Sequence, residues 1–228
     1  MRYRGIFTLT AVILIIIVTS KFFMDSFHAH EKAKEVIGFY QIHNIFISAT
    51  TTPEPKCSLS KPCPPDSFAF SIHSGAATVV GPKICFDGKN IMSHILNNVG
   101  PGLNIVVIND TNGVIEKYGY LNMITGDSGQ ILAYLKDIKP GMIVLVASYD
   151  DATTKMTDEI RETFVAMGST LIGSLNHRDN WVFAGRAGTK IKSFYEKLLV
   201  SDEKTNVFDG WPGMVKVGGC FPRTVDDT

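Results

Sequence analysis

The chain has 228 residues, of which 45% are hydrophobic and 19% are charged. Lysine plus arginine and aspartate plus glutamate number 22 each, so the formal net charge is zero. With no basic excess to neutralise phosphates, the composition disfavours nucleic acid as a partner.

The first 20 residues have the pattern of an export signal. Arg2 and Arg4 precede an apolar run over residues 6–18, as in a signal peptide, and the run is shorter than the ~20 apolar residues of a spanning helix. No Ala-x-Ala cleavage motif follows, so a signal-anchor with its arginines in the cytosol is the alternative. The chain is therefore predicted to be secreted and extracellular, or membrane-anchored in the type II orientation.

Residues 21–55 are predicted to form a stalk, because scattered charges lead into a Thr/Pro-rich end at residues 50–55 that does not build a core. Residues 37–47 are apolar enough for a short helix or strand. The rest suits one domain over residues 56–222, followed by a tail at 223–228.

The four cysteines are Cys57, Cys63, Cys85 and Cys220. An even count behind a secretory leader predicts two disulfides formed in an oxidising compartment. Any complete pairing ties Cys220 back to the N-terminal group, closing a loop of roughly 135–165 residues worth about 4–5 kcal/mol in the chain-entropy account. Four reduced thiols in a cytosolic protein are the alternative, against which the leader argues.

The sequence of the first half of the domain predicts β-strands. Alternation of Phe68, Phe70 and Ile72 with small polar residues predicts a half-buried strand over residues 67–73. Shorter strands are expected at 83–86 and 91–92, a central strand at 103–108, and its hairpin partner at 114–121 after the turn at 110–113.

The second half adds helices. The first predicted helix is capped by Asp127 or Ser128 and ends before Pro140-Gly141; the second begins at Thr157 and ends at Gly168. In each helix the apolar residues are three and four positions apart. They are Ile131, Leu132, Leu135 and Ile138 in the first, and Ile160, Phe164 and Met167 in the second. Strands are expected at 142–147, 181–184 and 215–217. The predicted fold class is mixed α/β, a sandwich with helices packed on twisted sheet.

Few motifs carry chemistry. The sequence Gly126-Asp127-Ser128-Gly129 resembles a protease nucleophile segment, but its surroundings favour a helix cap. The six histidines and four cysteines show no zinc-ligand spacing, so neither a metal nor a cofactor is predicted. Asn109 begins an Asn-Asp-Thr glycosylation acceptor at a predicted surface turn.

One constellation stands out. Asp150 and Asp151 follow the most apolar strand, and Arg178 and Trp181 lie where the next strand begins. If these strands are neighbours, Arg178 can reach either aspartate. Carboxylates and arginine bind hydroxyls in pairs and an aromatic face stacks on a sugar ring, so a carbohydrate-binding site is predicted here.

Two other interpretations of these residues stay open. The aspartates can simply cap the following helix, with Arg178 in a fixed salt bridge and Trp181 in the core. Asp151 can also be half of a glycosidase acid pair, with Asp179 as the second carboxylate. The absence of any other catalytic motif favours a protein that is not an enzyme.

The chain resembles the cytokine-like family of the interleukin-like EMT inducer and pancreatic-derived factor, whose module is also called the GG-type lectin domain. The resemblance covers residues from about 56 to 222, and the branch designated D is the most similar. It rests on the stretches KC and KPCP at 56–64, FAF at 68–70, SGAA at 74–77, VVGPKIC at 79–85, NNVG at 97–100, GLNI at 102–105, SYDD at 148–151, RDNWVF at 178–183, GWP at 210–212 and GC at 219–220.

The resemblance implies a compact β-β-α fold with disulfides Cys57–Cys85 and Cys63–Cys220. It implies a secreted cytokine-like factor that binds a cell-surface receptor or glycan, with a lectin module as the alternative, and it places sugar-binding roles on Asp150 or Asp151 and on Arg178. Ala184 stands where the inducer has an unpaired cysteine, which favours a monomer. His177 replaces a usual aromatic residue and weakens the lectin interpretation.

Overall fold

A computed structural model describes residues 15–25 and 54–223. The chain divides into two units, Met1–Pro53 and Glu54–Thr228. In the first unit, residues 15–25 form helix α1, and none of the helices within the described residues is both long and apolar enough to cross a bilayer. Most of the predicted leader and stalk, the 37–47 element and all but Arg223 of the tail lie outside the described residues.

The described residues of the second unit, 54–223, form nine strands, two α-helices and a short 3₁₀ helix. In chain order they are β1 (Ser67–His73), β2 (Lys83–Phe86), β3 (Lys89–Ser93), β4 (Gly102–Ile108), β5 (Ile115–Leu121), α2 (Ser128–Lys136), β6 (Ile143–Tyr149), α3 (Asp158–Val165), the 3₁₀ helix (Ile172–Ser174), β7 (Asn180–Arg186), β8 (Tyr195–Leu199) and β9 (Lys216–Pro222). The fold is mixed α/β, as predicted.

Two antiparallel sheets form the frame. The smaller has the order β3-β2-β1-β9 and the larger the order β5-β4-β6-β7-β8. Strand β6 pairs with β4 on one side and β7 on the other, and all of its residues except Tyr149 are buried. The most apolar stretch of the sequence therefore occupies the centre of the larger sheet, where both faces are covered.

Two apolar cores define three layers. One lies between the sheets and includes Phe70 and Ile72 of β1 and Leu145 of β6. The other lies between the larger sheet and the helices, where Ile131 of α2 and Phe164 of α3 pack on it. Alternate residues of β6 serve opposite cores, which produces the β-β-α arrangement implied by the family resemblance.

Three local expectations need correction. Strand β1 is buried on both faces rather than half-buried, because the segment that precedes it covers its outer face. The disulfide sulfur of Cys57 lies 3.6 Å from the Ala69 carbonyl oxygen. Helix α2 ends at Lys136, capped by Asp137, before Pro140-Gly141. The sequence did not predict strand β8, an edge strand with charged residues at Glu196 and Lys197, because it lacks a continuous apolar run.

Both disulfides form as expected. Cys57 bonds Cys85 of β2, and Cys63 bonds Cys220 of β9, across 28 and 157 residues of sequence respectively. The segment before β1 is thereby bonded to both neighbours of that strand.

Candidate functional site

The predicted site residues gather at one end of the larger sheet. Strands β6 and β7 are antiparallel neighbours, so the residues that follow Tyr149 lie beside those that precede Asn180. Residues 210–215 join them there, because the Asn180 side chain donates to the Gly213 carbonyl oxygen at 2.8 Å. We call this end, formed by Asp150, Asp151, His177, Arg178 and Trp211, the rim.

Two rim residues adopt left-handed backbone conformations. Asp150 has φ 56° and Arg178 has φ 65°, a region that residues other than glycine seldom occupy. Such strain persists only where surrounding structure imposes it, and it concentrates at ligand sites. Two of the three residues that carry the predicted polar contacts, Asp150 and Arg178, are therefore held in uncommon conformations.

Asp151 is a buried carboxylate with a full set of donors. It is 4% exposed and accepts hydrogen bonds from the backbone N–H and hydroxyl groups of both Thr153 and Thr154. Burial by itself would raise its pKa, but these hydrogen bonds outweigh that effect and lower the pKa from 3.8 to about 2. Asp151 is thus ionised at neutral pH and organises the turn at 153–154.

Arg178 is directed away from the aspartates. Its guanidinium lies 5.0 Å from the centre of the Trp211 ring, and its Nη1 atom is 3.5 Å from the Gly210 carbonyl oxygen. Within the described residues it forms no ion pair with Asp150 or Asp151. Instead the exposed imidazole of His177 places its Nδ1 atom 3.2 Å from Asp151 Oδ1.

Trp181 belongs to the core. Its ring is completely buried, stacks on Phe183 at 5.5 Å and meets Phe164 edge-on at 5.4 Å, while its indole N–H donates to Glu196 at 2.8 Å. This ring has no face to offer a ligand, which corrects the stacking role expected of it.

Trp211 is the aromatic residue that the rim does provide. It is partly exposed and is held by paired backbone hydrogen bonds with Phe208. Its Gly-Trp-Pro stretch marked the family resemblance, but nothing in its spacing indicated contact with Arg178. Only the folded chain brings together residues separated by more than 30 positions.

Asp179, the second carboxylate of the suggested glycosidase acid pair, also forms hydrogen bonds within the fold. Asp179 is 1% exposed and accepts from the backbone N–H groups of Asn176 and Ser201. Within the described residues, no group of three His, Cys, Asp or Glu side chains could hold a metal ion. The polar groups facing solvent at the rim are those of Arg178, His177 and, in part, Asp150, which suit recognition of hydroxyls or charges.

Asn109 lies apart from the rim, in the turn between β4 and β5. It is partly exposed, and its side-chain oxygen accepts from the backbone N–H groups of Thr111 and Asn112. The glycosylation acceptor thus occupies a surface turn.

The fold and the rim define a small disulfide-bonded β-β-α module. The family model of the interleukin-like EMT inducer matches residues 101–189. Protein FAM3D of Mus musculus is 41% identical over 225 residues, covering 99% of this chain and 100% of the relative, and Protein FAM3D of Homo sapiens is 40% identical, covering 97% and 98%. Protein FAM3C of Homo sapiens is 44% identical, covering 78% of each chain.

The chain belongs to the interleukin-like EMT inducer family, the cytokine-like FAM3 group. The branch expected from the sequence, D, is represented among these relatives.

Proposed function

We propose that the protein is a secreted, cytokine-like signalling factor that acts without catalysis, by binding a cell-surface partner at the rim. The observation that carries this proposal is the Arg178–Trp211 pair, because it combines an exposed cation with a partly exposed aromatic ring. Arginine and tryptophan are the residues most enriched among those that dominate binding energy at protein interfaces.

Export is supported by the two disulfides. Such bonds persist in oxidising compartments and are rare in the cytosol, and the basic, apolar start of the chain fits a signal peptide or signal-anchor. Release as a monomer is part of the proposal.

The non-catalytic part rests on how the carboxylates are used. A glycosidase acid needs a raised pKa so that it holds a proton, whereas four donors lower the pKa of Asp151 to about 2. Asp179 is occupied by two backbone N–H groups. Asp151 is therefore not prepared to donate a proton, and the oxygens of both carboxylates already accept hydrogen bonds within the fold.

Receptor binding is tested with purified protein on responsive cells. We expect saturable binding that weakens at least about tenfold in Arg178→Ala and in Trp211→Ala, while exposed Lys204→Ala, in the same region of the chain, binds as the parent does. The absence of saturable binding by the parent would refute the receptor proposal. Equal binding by the parent and all variants would show that the rim is not the receptor-binding surface.

A lectin function is the second candidate, and the cell-surface glycan would then be the principal ligand. The rim offers a guanidinium and a partly exposed carboxylate for hydroxyl groups, with Trp211, in place of Trp181, as the stacking surface. The test is a glycan array probed with the parent and Arg178→Ala. We expect a defined set of glycans to lose signal in the variant; unchanged signals would exclude Arg178 as a sugar ligand.

We also propose that Asn109 carries an N-linked glycan. Protein recovered from the medium of secreting cells should lose mass when treated with an N-glycosidase, and Asn109→Gln protein should not. A parent protein that is insensitive to the enzyme would exclude the modification.

A further inference from the structure

Three basic residues stand side by side across the smaller sheet. His73, the last residue of β1, is paired with Lys83 of β2 and with Lys216 of β9. The neighbouring residues Ile72, Ile84 and Val217 belong to the core between the sheets. Because side chains alternate along a strand, the three basic residues all project from the outer face. We call them the basic row.

The basic row lies on an uncovered part of that face. The disulfide-bonded segment before β1 packs on another part of it, where Leu59 lies near Gly218. Lys83 and Lys216 are exposed and His73 is partly exposed, and neither lysine forms an ion pair within the part of the chain that the structure describes. His94 is exposed but follows Ser93, the β3 partner of Lys83, so it lies near the basic row without being part of it.

This placement is electrostatically unfavourable for the protein alone. Like charges directly opposite each other on neighbouring strands are destabilising. Partial burial and the two flanking lysines lower the pKa of His73, so a third positive charge is resisted. A bound anion would offset the repulsion among the three positive charges and would favour protonation of His73.

We propose that the basic row binds a sulfated polysaccharide of the cell surface or matrix. Adjacent strands lie about 4.8 Å apart, so the row spans about 10 Å and presents a line of cations, which suits a chain of repeated anionic groups. A net charge of zero makes overall attraction to polyanions weak, so binding requires such a local feature. The choice of polysaccharide over other polyanions rests on the proposed export of the protein.

The row also adjoins the rim. Residues after His73 bond to the larger sheet at that end, since the Gly75 N–H donates to the Ser148 carbonyl oxygen at 2.8 Å, two residues before Asp150. A polysaccharide on the row would hold the protein at the cell surface with its rim beside it.

The test measures binding of the purified full chain to heparin and to chemically desulfated heparin. We expect salt-sensitive binding to heparin, weakened at least about tenfold by Lys83→Glu combined with Lys216→Glu. The matched control is Lys89→Glu with Lys197→Glu, which makes the same change in net charge at exposed positions elsewhere and should bind as the parent does. Equal losses in both double variants, or no binding by the parent, would overturn the proposal; equal binding to desulfated heparin would overturn the requirement for sulfate.

His73 supplies a second, independent readout. Protonation and anion binding favour each other, so the affinity should rise several-fold when the pH falls from about 7.5 to about 5.5. His73→Asn should lose most of this rise, whereas His94→Asn should retain most of it. An identical pH profile in His73→Asn and the parent would exclude His73 from the site.

The outcome is separable from that of receptor binding. Heparin binding by purified protein needs no receptor, and Arg178→Ala should leave it unchanged. If the parent protein binds heparin but shows no saturable binding to cells, only the rim proposal is refuted. If it binds cells saturably but does not bind heparin, only the proposal for the basic row is refuted.

Discussion

At the scale of single residues, local hydrogen bonding decides what the rim can do. Asp151 looks in the sequence like half of an exposed acidic pair, yet the structure buries it and surrounds it with the donors of Thr153 and Thr154. Asp150 remains partly exposed. Adjacent and chemically identical side chains therefore have different tasks, one structural and one available to a ligand.

Asp151→Asn is predicted to destabilise the domain by about 2 kcal/mol at pH 7, because an amide cannot accept all four hydrogen bonds. The pKa of Asp151 is about 2 in the folded protein against an ordinary 3.8, so its contribution is present above about pH 4 and is lost as the pH falls toward 2. Denaturant unfolding at neutral and acidic pH tests both points. A variant that loses stability between pH 4 and 2 as steeply as the parent would contradict this account.

Gly210→Ala is predicted to weaken rim binding, by no more than Arg178→Ala does, without unfolding the domain. Gly210 has φ +71°, and a Cβ atom there would lie 2.6 Å from Nη1 of Arg178, so the guanidinium would be displaced from Trp211. The control is Gly173→Ala, where no atom lies within 4 Å of an added Cβ. The measurement is the cell-binding or glycan-array signal of each variant; retention of binding by Gly210→Ala would show that the observed position of Arg178 is not required.

At the scale of elements, the unpredicted strand β8 anchors the chain that leads into the rim. Its Glu196 accepts hydrogen bonds from the Ser169 hydroxyl and from the backbone N–H groups of Thr170 and Leu171. It also accepts from the buried indole of Trp181. One carboxylate thus joins the edge strand, the loop between α3 and the 3₁₀ helix, and the core beneath the rim.

Glu196→Ala is predicted to lower the free energy of unfolding by about 3 kcal/mol, since it leaves the buried Trp181 N–H and several backbone donors without an acceptor. Its neighbour Lys197 is exposed, and Lys197→Ala should change stability by less than about 0.5 kcal/mol. Denaturant unfolding followed by tryptophan fluorescence gives both values. Equal stabilities of the two variants would contradict the anchoring role.

At the scale of the whole molecule, covalent links and layered packing act together. The Cys63–Cys220 bond joins the segment before β1 to the last strand, whereas Cys57–Cys85 closes a much shorter loop. Strand β9 pairs with β1 along its full length. The bond therefore lowers the conformational entropy of the unfolded chain, because it closes a loop that includes almost the entire domain.

Removal of Cys63–Cys220 by paired alanine substitutions is predicted to cost about 5 kcal/mol, and removal of Cys57–Cys85 about 3.6 kcal/mol, from the entropy of the loops that they close. Equilibrium unfolding of the two double variants under oxidising conditions measures the difference. If removal of Cys57–Cys85 destabilises the domain more, native packing around Cys57, rather than loop length, determines the contribution of the disulfides to stability.

The sequence by itself determined the mixed α/β class, both helix starts, most strands and, through family resemblance, both disulfide pairings. These depend on local periodicity, capping residues and recognisable stretches, all of which are properties of neighbouring positions. Only the tertiary structure decided four features: the contact of Arg178 with Trp211, the burial of Trp181, the donors that surround Asp151, and the basic row. Each of these arises from contacts or strand register between residues far apart in the chain, which no local pattern specifies.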